Sequence, residues 1–222
     1  MRRLSGEFID LTHYVAPDMP LNPGDAIPKF KYVSSFDKDG VNVTSFTMST
    51  HNGTHVDAPR HFIGDGATLD SVPLTKFVGE GVVLDLSRVK IGSGITDEDL
   101  EPYSRLVKEG DIVVLYTGCS DYWGEEWIVK NFTYLEESAA EWLVRKRVNT
   151  VGIDSMSVEK FQFSRPVSHV TLLKNGIAII ESLNSMVKVF VEKRMFIVCL
   201  PLKIRGREAA PARVIAWSLL QE

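Results

Sequence analysis

Cysteine is nearly missing: Cys119 and Cys199 are the only two in 222 residues. That is too few for a disulfide framework. Both stand at or near apolar runs, so buried, reduced thiols and a cytoplasmic location are expected. No apolar run approaches the roughly 18 residues of a membrane span, and the polar start from Met1 to Gly6 lacks a signal-peptide core. No membrane partner is therefore expected, and a net charge of -4 gives no sign of a nucleic-acid surface. Glycine loops of the Walker or dinucleotide type are absent, as is the Gly-x-Ser-x-Gly elbow of serine hydrolases. Cys119, in Thr117-Gly-Cys-Ser120, has no histidine near it in sequence and reads as a structural thiol rather than a nucleophile. What remains is an ordinary globular composition, 44% hydrophobic and 24% charged, long enough for a real core. One domain over residues 1–222 is expected.

Histidine is scarce too, with five in the chain, yet His51, His55 and His61 fall within eleven residues with Asp57 between them. Even scatter would place about a quarter of a histidine in such a window. Imidazoles and a carboxylate at close quarters are the ligand set of a borderline divalent metal such as zinc. The preceding run, Val41 to Thr50, alternates and is rich in β-branched residues, which predicts a strand. Asn52-Gly53 marks a turn. His55 and Asp57 are two apart in an extended segment, so their side chains share a face. Pro59 biases Ala58 towards extended geometry and keeps a helix from forming across the site. The zincin arrangement is excluded, because Asn52 stands where its glutamate belongs.

The motif His51-x-Gly-Thr-His55-x-Asp57-x-Pro59-x-His61 resembles the signature of the cyclase-like metal-dependent hydrolases, which include bacterial-type kynurenine formamidases and isatin hydrolases. The resemblance extends over nearly the whole chain and implies an α/β domain of the swivelling β/β/α type. It implies a first ion held by His51, His55 and Asp57, with His61 outside the ligand set as the proton carrier. Farther on, Ser168-His169-Val-Thr-Leu-Leu-Lys-Asn-Gly176 precedes an apolar run that ends in Glu181. A carboxylate there needs a cation, a donor or solvent. By themselves His169 and Glu181 read either as ligands or as a salt-bridged strand end. The family's second metal site uses a histidine followed twelve residues later by a glutamate, which this pair matches, so the resemblance implies a second ion shared through Asp57.

The implied activity is metal-assisted hydrolysis of an amide, with two Zn2+ per chain, or Mn2+, and a small aromatic amide as substrate. An N-formyl arylamine leads. Opening of a cyclic amide such as isatin, or a metal-binding protein without turnover, are the alternatives. A homo-oligomer, dimer or larger, is also implied. Phe62, Phe36, Tyr122 and Trp123 are candidate walls for a flat substrate, and loops 17–31 and 122–132 are candidate specificity loops. His13 stands alone in its segment and reads as structural, and Asp154 as a rim residue with no catalytic role.

The remaining chain alternates strands with helices, which indicates an α/β layered fold with a mixed sheet. Strands are expected at Glu7 to Thr12, Gly81 to Leu86, Ile112 to Thr117, Thr150 to Asp154, Gly176 to Ile180, Met195 to Pro201 and Arg213 to Trp217. A capping-box pattern at Thr96 opens a helix expected to run to Val107, and a second helix is expected from Leu135 to Arg147. A short helical stretch is expected just after His169, ended by Asn175-Gly176.

Overall fold

Residues 4–219 are described by the structure, a computed structural model. In chain order, β1 (Leu4–Asp10) is followed by a hairpin of β2 (Lys29–Ser34) and β3 (Val43–Thr47), joined through the short helix α1 (Phe36–Asp39). Next come β4 (His55–Asp57), β5 (Val78–Asp85), β6 (Gly94–Ile95) and the one-turn helix α2 (Asp97–Leu100). β7 (Ile112–Tyr116), β8 (Tyr134–Leu135) and α3 (Glu137–Arg145) precede β9 (Thr150–Ile153), α4 (Val167–Lys174) and β10 (Ala178–Glu181). Two long strands, β11 (Arg194–Pro201) and β12 (Ala209–Leu219), end the chain.

The main sheet runs β1-β12-β11-β5-β7-β9-β10-β4, and a further pairing of β12 with β4 closes it into a ring with β1 outside. Its parallel part, β5-β7-β9-β10, consists of the continuous apolar runs, because strands covered on both faces have no polar side to present. Alternate residues feed two cores. Val83, Val114, Ile180, Ile197 and Val214 pack together with no residue of α2, α3 or α4, which places them inside the ring. Val82, Leu84, Val113, Leu115, Val151 and Ile179 face outward and are covered by Ala139, Trp142 and Leu143 of α3 and by Leu172 and Leu173 of α4. Fully burying one such Val or Leu contributes about 1.5–3 kcal/mol, so this double alternation fixes which way each strand faces.

The expected fold class, a single α/β domain with a mixed sheet, is what the chain adopts, but several boundaries differ. Alternation correctly marks a strand before the histidine cluster, yet β3 lies outside the main sheet, paired only with β2, and every residue of it is exposed. The helix expected from Thr96 to Val107 stops at Leu100 and continues as a 3-10 turn, Glu101–Tyr103. Its start is as predicted, with Thr96 N–H and Oγ1 donating to Asp99 Oδ2 at 2.9 Å each. Pro102 has no N–H to extend the ladder. Leu135 belongs to β8, which pairs with β6, and the second helix begins only at Glu137. His169 lies within the first turn of α4 rather than before it.

Candidate active site

The site is built around β4. Gly53 turns the chain with φ +68°, a conformation that L side chains rarely adopt, and a Cβ there would stand 3.3 Å from Met19 Cε. Gly53→Ala is therefore expected to destabilise the fold by about 1–3 kcal/mol, measured by denaturant unfolding. After the turn Val56 points into the ring, so His55 and Asp57 point out on the opposite face. β4 pairs antiparallel with β10 so that Glu181 lies opposite His55 and Ile179 opposite Asp57. Glu181 therefore shares the face of His55, and α4 packs over that face and delivers His169. Pro59–His61 forms a 3-10 turn closed by His61 N–H donating to Ala58 O at 2.9 Å, which swings His61 back beside His51.

Asp57, fully buried, sits at the middle of the cluster. Its Oδ1 is 3.0 Å from His51 Nδ1 and 3.4 Å from His55 Nε2, and its Oδ2 is 3.4 Å from His169 Nε2. Glu181 Oε2 is 3.5 Å from His55 Nε2, and its Oε1 is 3.3 Å from His169 Nε2. These atoms are close but not in hydrogen-bonding geometry: His55 Nε2, both Asp57 oxygens and His169 Nε2 are buried without a hydrogen-bond partner among the described residues. Buried polar atoms are rarely orphaned. Lone pairs converging from imidazoles and carboxylates are the donor set that a divalent cation satisfies, so the residues fit a metal. Two groups of three donors have ligand atoms within 4.8 Å of one another, His51–Asp57–His61 and His55–Asp57–Glu181, and Asp57 belongs to both.

Without a cation, protons balance the charge. Burial pushes the His55 imidazole down, but Asp57 and Glu181 outweigh it and raise its pKa to about 9. His169 is likewise raised well above its ordinary value, burial being outweighed by Asp57, Glu159 and Glu181. Asp57 and Glu181 are held below the usual carboxylate range: burial raises both, and the facing histidines overcome it. His61 goes the other way, pushed down to about 4, chiefly by burial. It packs on the rings of His51 and Phe62, each with centroids 4.2 Å away.

A cavity of about 430 Å³ opens onto the cluster, with His51, His61, His169 and Glu181 on its lining and Phe62, Phe132, Phe161 and Phe163 as aromatic walls. This is within the usual size range of small-molecule sites. Of the four expected wall residues only Phe62 lines it. Phe36 is 66% exposed on α1, Tyr122 packs on Trp127, and Trp123 stacks on His13 at 3.8 Å. The expected specificity loops do reach the cavity, through Asn22, Pro23 and Asp25 from the first and Phe132 from the second. Phe161, Phe163 and Glu159 come from the loop after β9, which carries no periodicity or spacing that would have singled it out.

His13 stays outside the cluster, its backbone N–H donating to Thr54 Oγ1 and its ring against Trp123. Asp154 is not at a rim. It is 1% exposed and accepts hydrogen bonds from Thr117 N–H and Oγ1, Gly118 N–H and Ser120 Oγ, pinning the turn that follows β7. Both cysteines are free and buried.

Comparison with known proteins bears on this site directly. The family model described as putative cyclase matches residues 9–160, a stretch that includes the whole histidine motif. The chain belongs to this cyclase family. A kynurenine formamidase of Erythrobacter litoralis is 31% identical, over 95% of this chain and 93% of that protein. A solved predicted metal-dependent hydrolase from Bacillus stearothermophilus is 34% identical, with a TM-score of 0.79, covering 95% of this chain and 98% of that one. Isatin hydrolase A of Labrenzia aggregata shares the fold, with a TM-score of 0.87 at 24% identity, over 96% of this chain and 94% of that one. The cyclase-family resemblance read from the motif is thus borne out.

Proposed function

We propose that this cyclase-family protein is a metal-dependent amide hydrolase that releases formate from an N-formyl arylamine, as its similarity to kynurenine formamidases supports. The observation that carries this reading is the set of orphaned imidazole and carboxylate atoms at the base of an aromatic-walled cavity. His51, His55 and Asp57 would hold one zinc or manganese ion; His169 and Glu181, with Asp57 shared, would hold a second. A divalent ion bound there supplies Lewis acidity to a carbonyl oxygen and makes water acidic enough to attack at neutral pH. The chain's own residues do the rest. His61, neutral at pH 7, takes a proton from the attacking water and gives it to the departing nitrogen. Phe62 and Phe163, edge to face with centroids 6.0 Å apart, hold the flat ring and keep bulk water from it.

The substrate preference follows from leaving-group chemistry and the aromatic walls. An aniline nitrogen departs more readily than an aliphatic amine, so an N-formyl arylamine should turn over faster than an aliphatic formamide. Metal analysis of the purified protein, with rates on N-formylkynurenine, an aliphatic formamide and isatin, tests the reading. Equal rates on the two formamides count against it, and turnover of isatin alone hands the site to lactam opening.

The working unit in this reading is a homodimer in the cytoplasm. The hairpin supports the dimer: Phe30, Tyr32, Val33, Val43 and Phe46 on β2 and β3 are 43–71% exposed, and a lone two-stranded hairpin is marginal in water. Two free, buried thiols agree with a reducing compartment, and among the described residues no helix is long and apolar enough to cross a membrane.

A further inference from the structure

The half of the centre that contains His169 and Glu181 is braced by three consecutive residues. Ser157 Oγ and Val158 N–H both donate to Glu181 Oε1, at 2.9 and 2.7 Å. The next residue, Glu159, turns the other way, towards α4. Its Oε2 accepts from the backbone N–H groups of Ser168 (3.0 Å) and His169 (3.1 Å) and stands 3.4 Å from His169 Nδ1, close but outside hydrogen-bonding geometry, that nitrogen too being buried without a hydrogen-bond partner among the described residues. Glu159 N–H donates to Ser157 Oγ at 3.0 Å, so the two arms of the brace are tied to each other. Glu159 is 5% exposed, and His169 is its only ion-pair partner among the described residues.

Burying a carboxylate is costly unless its partners need the charge. A helix start needs only a neutral oxygen. What a carboxylate adds is its effect on the imidazole. A neutral imidazole offers one lone pair, and the lone pair is on Nε2, the atom facing Asp57 and Glu181, only when the proton is on Nδ1. An acceptor held against Nδ1 selects that tautomer, fixes the ring plane and raises the basicity of Nε2. The other two histidines follow the same plan with weaker acceptors. His55 Nδ1 lies 2.7 Å from Gly53 O, a neutral carbonyl, and His51 Nε2 lies 3.6 Å from Glu208 Oε1, a carboxylate also held by Thr50 and 32% exposed.

We infer that Glu159 is a positioning residue that aims and polarises His169 for a cation, in addition to capping α4. This rests on the metal-dependent reading given above. Glu159→Gln keeps an oxygen for the two backbone N–H groups and removes the charge, whereas Glu159→Ala removes both. The experiment is a zinc titration against a competing chelator on stripped protein, with thermal unfolding of the same metal-free samples. Glu159→Gln should bind the ion that depends on His169 about 10- to 100-fold more weakly, and its metal-free unfolding midpoint should fall, because a buried partner of His169 loses its charge, but fall less than that of Glu159→Ala, which loses the cap as well. Glu159→Ala should lose at least as much affinity and also unfold earlier. Wild-type zinc affinity in Glu159→Gln overturns the inference, whatever the alanine variant does, because capping alone then accounts for the residue. A Glu159→Gln midpoint as low as that of Glu159→Ala also overturns it, because Glu159 is then needed for folding rather than for aiming His169. A wild type that binds no zinc defeats the metal-dependent reading itself, and this inference with it.

Discussion

Asp57→Asn is expected to strip the proposed two-ion centre of both ions, leaving less than one per chain after dialysis. Hydrolysis should fall by at least the roughly 10²–10⁴ expected for losing one acid–base group. The geometry singles out this residue. Its Oδ1 addresses His51 and His55 and its Oδ2 addresses His169, so one carboxylate spans both halves of the cluster. Asparagine keeps the shape, but it has no charge and one end becomes an NH2 donor that cannot share a cation. Glu181→Gln is the contrasting variant, expected to weaken one ion while His51, His55 and Asp57 keep the other. The metal-free protein offers a second reading of the same residue. Removing one partner of a buried charge pair costs about 3–5 kcal/mol. His55 has a folded pKa raised to about 9, so the stability it gains from Asp57 is fully present below its ordinary value near 6.5. That contribution disappears as pH rises from 6.5 through about 9. Asp57 is itself held low, so its own contribution is lost only in acid, below its ordinary value of 3.8. Denaturant unfolding with chelator present should therefore show a larger gap between wild type and Asp57→Asn at pH 6 than at pH 9. Full metal content in the variant, or equal gaps at the two pH values, would remove Asp57 from the bridging position.

The parts of this architecture that sequence reveals are those in which one local rule decides the outcome. Val82 to Leu84 and Val113 to Leu115 are apolar on both faces because both faces are covered, which a short apolar run states directly. His55 and Asp57 share a face because strand side chains alternate, and Gly53 marks the turn that aims them. Which sheet a strand joins is a different matter. The alternation from Val43 to Thr47 is the same whether the strand is buried in the ring or projects as a hairpin, and only the tertiary pairing separates the two. His169 and Glu181 are legible through the family's twelve-residue spacing, whereas the register that places Glu181 opposite His55 is a contact between elements more than a hundred residues apart. Aromatic side chains were the least legible: Phe36 and Trp123 have the same chemistry as Phe62 and Phe163 but end on a hairpin helix and against His13. Glu159 has no local signal, since the partners of its carboxylate all lie on α4.

His61→Asn should separate proton transfer from metal binding. Metal content is expected to stay near the wild-type value while kcat falls by roughly 10²–10⁴, with a smaller change in KM. The imidazole is half-buried between His51 and Phe62, and burial depresses its pKa to about 4 despite the pull of Asp57 and Glu181. At pH 7 it is therefore neutral and has a free lone pair to accept a proton. Asparagine matches its polarity at that position but does not titrate. The same depression predicts an effect on stability. Because the folded pKa lies below the ordinary 6.5, the neutral ring's contribution is present above 6.5 and is lost as pH falls from 6.5 towards about 4. Metal-free His61→Asn should consequently lose less stability than metal-free wild type over that interval. His61 also belongs to the donor group with His51 and Asp57, all with ligand atoms within 4.8 Å of one another, so a ligand role is the competing assignment. Elemental analysis decides between them: a variant that loses an ion along with its activity makes His61 the third donor of that group, and the proton must then be carried by another residue.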